Sequence, residues 1–160
     1  MTKPRGNWRA DEVIEPLQIM DAIQRAAVRE LPELMQTFID LCPEEAERPN
    51  LTVELKEWTV EDASAAAVQV NATIALMLLD ITDDYSQSST AGLLRLQSKL
   101  KGLFDKGFLR VADRALHVEA VIGERDFDRA FVEVRFVFFD SRPQAPEPPL
   151  MESVELKMEG

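Results

Sequence analysis

Cysteine and histidine are almost missing from this sequence, which has one of each, Cys42 and His117. A lone cysteine has no partner for a disulfide within the chain, and one cysteine with one histidine falls short of a Cys/His zinc site. Cys42, beside Pro43, is expected to be a small, half-buried apolar residue. Glycine is scarce as well. Its six copies are scattered, so no glycine-rich loop is available to cradle a phosphate and no nucleotide fingerprint joins a strand to a helix. Positive charge is the third shortage: 18 Lys and Arg stand against 29 Asp and Glu, a formal net charge of -11. That balance argues against a surface built to grip a phosphate backbone through clustered cations. It fits a solvated exterior, and equally a surface past which nucleic acid moves without sticking. Long apolar runs are absent too. Nothing approaches the ~18 residues of a membrane span, and no apolar segment follows Lys3, Arg5 and Arg9, so neither an anchor nor a signal peptide is expected.

What the chain does contain is alternation. Residues 66–84, AAVQVNATIALMLLDITDD, place Val68, Val70, Ala72, Ile74, Leu76 and Leu78 on one face. Gln69, Asn71 and Thr73 give way to Met77, Leu79 and Ile81 on the other. Period two over this length predicts a long strand with one face in a core throughout. Residues 131–139, FVEVRFVFF, repeat the pattern with Val132, Val134, Phe136 and Phe138 inward. Two weaker strands accompany these. Residues 51–60 alternate through Leu51, Val53 and Leu55, then slip so that Trp58 and Val60 change parity, which predicts a bulge near Glu57. Residues 115–123 alternate Leu116, Val118, Ala120 and Ile122 against His117 and Glu119.

Helical spacing appears in two places. Pro16 opens a stripe of Leu17, Met20, Ile23, Ala27, Val28 and Leu31, since a proline in the first turn loses no needed hydrogen bond. Leu34, Met35, Phe38 and Ile39 continue the spacing beyond Pro32, predicting a kinked helix or two short ones that end before Pro43. The second helix follows Ser89 or Thr90 as N-cap, with Leu93, Leu94, Leu96, Leu100, Leu103 and Phe104 as its stripe and Gly107 as a left-handed C-cap. Residues 108–114 read as a connector. The order αββαββ predicts an α+β fold, a mainly antiparallel four-stranded sheet with the helices packed on one face, plus extended N- and C-terminal arms. The domain spans 16–142. Residues 1–15 form an arm whose Trp8 docks on its own domain or on a neighbour. Residues 143–160 hold a Pro-rich spacer, SRPQAPEPPL from 141 onward, and a C-terminal arm.

Catalytic chemistry is not legible, and no enzyme is expected. Ser86, Ser88 and Ser89 share a loop, but the sole histidine sits on a strand with no visible link to them. Asp80, Asp83 and Asp84 cluster at a strand end without the spacing of a calcium loop. Neither cofactor nor metal is expected. The loops at 82–88 and 123–130 are charged and follow rigid strands, which marks Asp83, Asp84, Arg125 and Asp126 as candidate contacts with other subunits or partners. Val154, Leu156 and Met158 keep strict period two behind the proline spacer. They are either part of a free tail or a strand delivered onto a sheet edge, with the strand from Leu51 as the nearest acceptor.

The segments 68–84, 89–104, 116–122 and 129–142, in this order and with a Pro-rich end, resemble the tail-terminator (tail-completion) proteins of long-tailed bacteriophages. The resemblance covers about residues 17–142 and rests on element order, not on a motif. It implies a structural virion protein of the tail and neck, assembled in the host cytoplasm. Such a protein forms a homo-oligomeric ring, commonly a hexamer, that caps the tail tube protein, stops its polymerisation and meets the head-tail connector protein. DNA would pass through the lumen without specific binding, and no membrane is involved. A tube or connector subunit of the same assembly fits the pattern too, and a small ligand-binding domain or enzyme of αββαββ order is the reading from another class.

Overall fold

The computed structural model describes residues 13–82 and 90–142. Helix α1, Pro16–Glu30, starts where the sequence places it. Glu15 caps it: its backbone N–H donates to Gln18 Oε1 at 2.8 Å, and its side chain accepts from the third helical N–H, the reciprocal arrangement of a capping box. The helix then stops. Leu31 precedes Pro32, and the proline ring forces the residue before it out of the α region, to φ -120° and ψ 76°. Pro32 and Glu33 then turn the chain, with Leu34 N–H donating to Leu31 O at 3.1 Å, and it continues as strand, not helix.

Six strands follow the two-residue logic of alternate faces: β1 Gln36–Ile39, β2 Asn50–Asp62, β3 Ala67–Leu79, β4 Phe108–Val111, β5 Arg114–Arg125 and β6 Arg129–Ser141, with helix α2, Thr90–Gly102, between β3 and β4. They form one sheet in the order β1-β2-β3-β6-β5-β4. Every pairing is antiparallel except β1 with β2, which is parallel. The expected four-stranded, mainly antiparallel sheet is therefore corrected to a six-stranded mixed one, curled into a half-barrel. Two of the six strands depart from the sequence expectation. Residues 36–39, expected to continue the helical spacing, form β1, with Thr37 and Ile39 beside inward Leu51 and Val53 and Phe38 beside Thr52; an apolar run this short fits either period, and Pro32 decides against the helix. Residues 108–111, expected to be a connector, form β4, with Leu109 and Val111 buried and Phe108 and Arg110 exposed. Their hairpin turns through Ala112 at φ +53°, without the Asn-Gly or Asp-Gly that announces such a turn.

One apolar cluster fills the concave face. Val70 pairs with Phe138, Ala72 with Phe136, Ile74 with Val134 and Leu76 with Val132, so the inward residues of β3 and β6 lie side by side. The register of β2 shifts between Leu55 and Glu57, which turns Trp58 and Val60 onto this same face. Trp58 meets Phe138 edge-on with centroids 6.0 Å apart. Helix α2 lies over β6, β3 and β5, while α1 touches β1 and β2 at one end of the sheet and β4 at the other. One helix can touch both ends only because the sheet curls. Gly107, at φ +85°, carries the chain out of the turns after α2 into β4.

Candidate assembly interface

The end of β3 and the β5–β6 turn lie together at one end of the sheet. Leu79 pairs with Arg129, so the segment leaving β3 starts beside the β5–β6 turn. Asp83 and Asp84 lie outside the described residues. Arg125 and Asp126 stand at the hairpin tip, and their polar groups are engaged there: Asp126 N–H donates to Arg129 O at 2.8 Å, Asp126 Oδ1 accepts from Phe127 N–H at 2.8 Å, and Arg125 Nη1 reaches Asp126 O at 3.5 Å. Asp128 is held below the usual carboxylate range, first by its hydrogen bond from Arg129 and further by the charges of Arg129 and Arg48. Arg48 also donates to Asp80 O at 3.3 Å. The hairpin is anchored from behind by buried Gln97 of α2, whose Nε2 donates to Glu124 O at 2.8 Å and Phe131 O at 2.9 Å. Gly123 makes room for that amide, since a Cβ there would sit 3.1 Å from Gln97 Nε2. Arg125 and Asp126 are exposed beside Phe127, the apolar group of the tip, which is 71% exposed. Charge marks this loop in the sequence, and the signal for Phe127 is the single aromatic inside the charged run RDFDR.

The sheet also leaves backbone unpaired. Strand β1 covers β2 only to Val53, with Asp40 N–H adding one bond to Val53 O at 2.8 Å. From residue 54 to 62 β2 has no outer neighbour among the described residues. At the opposite corner β4 covers β5 only to His117, and Val118 N–H closes onto Gly107 O at 2.9 Å. Each free stretch begins at a bulge, at Leu55/Glu57 in β2 and at Val118/Ala120 in β5. Bulges of this kind twist an edge out of the plane in which indiscriminate pairing occurs. Val60, on the inward face of the β2 edge, is 53% exposed, and Phe139, on the outward face of β6, is 57% exposed.

A third surface is a cleft of about 1060 Å³ between α1, the end of α2 and β4. Five consecutive residues, 108–112, line it, so the edge of β4 itself forms one wall. Arg25, Arg29, Lys99, Lys106 and Arg110 surround it against two carboxylates, Asp21 and Glu30. Arg25 pairs with Asp21, Arg29 with Glu30, and Lys99 with Glu33. Lys106 and Arg110 have no ion pair among the described residues.

The remaining candidates stay apart. His117 is exposed on the outward face opposite Phe108 and Val137, and Glu119 falls in the β5 bulge. Cys42 is half-buried, its Sγ 3.5 Å from Pro43 O and 3.7 Å from Asn50 Oδ1. Among the described residues no group of His, Cys, Asp and Glu is placed to hold a metal, and no helix is long and apolar enough to cross a membrane. Val154, Leu156 and Met158 lie outside the described residues. The last described residue, Arg142, is clamped where β2 ends, donating to Asp62, Ser64 O and Ala65 O.

No family model matches the sequence, and no curated protein matches it. One solved chain aligns over 84% of this chain and 100% of its own at 14% identity, with a TM-score of 0.49. A likeness that low carries no argument about function.

Proposed function

We propose that this chain is a structural subunit of the tail-terminator kind, which assembles into a ring that caps a phage tail tube, ends its polymerisation and meets the head-side connector. The observation that carries the reading is the free edge of β2. A stretch of nine residues, 54–62, has no outer neighbour among the described residues and lies beside the half-exposed Val60 and Trp58, and such an edge suits a further strand from another chain. Two free stretches at opposite corners suit head-to-tail contacts, which close into a ring when the rotation per subunit fits. The hairpin tip with Phe127, together with Arg125 and Asp126, is the proposed contact with tube or connector, and Asp83 and Asp84 remain proposed contacts as well. Val154, Leu156 and Met158 remain proposed subunit contacts of the C-terminal arm. The acid surface suits a lumen through which DNA must pass without being held.

The test is capping. Tail tube protein polymerised with and without the full chain is measured by electron microscopy. Shorter tubes with extra density at one end are expected; tubes of unchanged length and bare ends would reject the reading. The Phe127→Ser variant is expected to form the same oligomer as the parent yet cap poorly, because it alters only an exposed tip.

A further inference from the structure

The charges of this chain are not spread evenly. Around the cleft between α1, α2 and β4, five cations face two carboxylates, on a chain whose net charge is -11. Lys106 and Arg110 find no carboxylate among the described residues. At the other end of the sheet the free stretch of β2 shows the opposite sign: Glu54, Glu57 and Glu61 against Lys56, with Asp62 paired to Arg142. Glu54, Glu57 and Glu61 share the outward parity, opposite Ala75, Thr73 and Gln69 of β3, and all three are exposed. Each surface also offers backbone, since both β2 over 54–62 and β4 are edges with an unpaired side among the described residues.

From this we infer that the acidic free edge of β2 in one copy docks in the basic cleft of the next, alongside β4, and that this heterologous contact holds the ring together. The inference rests on the ring reading and adds the surfaces that meet. A second copy is the occupant the charges favour. Nucleic acid would have to approach a molecule whose remaining surface repels it, whereas the complementary acidic strip is already supplied by the identical subunit. The contact cannot be satisfied within one molecule, because no residue of β2 lines the cleft and α1 packs between that edge and β4. Like-for-like contacts are disfavoured on both sides, edge against edge and cleft against cleft. Pairing is thereby directed head to tail, the geometry that closed rings require.

A charge swap on the full-length chain tests this. Lys106→Glu with Arg110→Glu reverses the cleft, and Glu57→Lys with Glu61→Lys reverses the edge; all four side chains lack an ion pair among the described residues, so folding should survive, which circular dichroism checks. Each variant alone is expected to lose the oligomer, its dissociation constant rising about 100-fold or more through like-charge contact. Mixed in equal amounts, the two are expected to regain the parental mass with subunits alternating, read by native mass spectrometry with one variant isotope-labelled. Variants that each keep the parental ring, or a mixture that fails to restore it, would overturn this contact while leaving a ring in place. A parent that is monomeric on its own would instead overturn the ring reading.

Discussion

At the residue scale the fold depends on a few polar groups that the core accepts only because they are matched. Asp140 is the one charged residue in the buried polar set. Its Oδ2 accepts Ile14 N–H at 3.1 Å, its Oδ1 accepts from Arg114, and Arg114 also lies over the Phe138 ring. Removing the cation strands a buried carboxylate, a change that costs about 3–5 kcal/mol when one partner of a buried pair is lost. Arg114→Met is therefore expected to lower the denaturant midpoint strongly, and Arg114→Met with Asp140→Asn to recover part of the loss. Equal midpoints for parent and single variant would contradict the assignment. Gln97 plays a comparable part at the other end of the sheet, where Gln97→Leu leaves two carbonyls short of a donor, at about 1–3 kcal/mol each if water does not replace it. None of these pairings was legible in the sequence. Periodicity reports which face a residue takes, not that Ile14, read as part of an arm, meets a carboxylate 126 positions away.

Elements were more legible, and the failures share a cause. Strands β3 and β6 carry 13 residues each and repeat period two often enough that no other reading fits. The parity slip in β2 foretold its bulge because five apolar residues, Leu51, Val53 and Leu55 before it and Trp58 and Val60 after it, straddle it. Strands β1 and β4, with four residues each, offer two turns of the pattern at most, and there the decisive facts are tertiary: β1 exists because β2 gives it a parallel partner, β4 because β5 folds back on it. The link between α1 and β1 is tied to α2 by Glu33, which accepts from Lys99 at 2.9 Å. That hydrogen bond, with the charges of Lys99 and Arg95, holds the Glu33 carboxyl below its usual range. A carboxyl depressed in the folded state stabilises above its unfolded pKa and ceases to do so as pH falls through the folded one. Glu33→Gln is thus expected to cost a little at neutral pH, about 0.2–1 kcal/mol for an exposed pair, and nothing in acid. Thermal melts across that range check it; a gap between the curves that widens in acid would show the sign to be wrong.

For the whole molecule, the sequence revealed an αβ domain with one apolar layer but not the curl that lets α1 touch both ends of the sheet. Curling depends on twist accumulated over six strands, and only four were visible. The same hidden geometry sets the acidic edge and the basic cleft at opposite ends, so the sequence reading saw charge as a sum and not as a polarity. A subunit with complementary ends has a definite consequence in solution, and the most direct measurement is the mass of the full chain by native mass spectrometry over a range of concentrations. A ring gives one closed species near six times the 18.1 kDa of the subunit, fixed in size as concentration rises and falling apart as salt screens its contacts. A monomer at every concentration, or a ladder of masses that grows without limit, would contradict it.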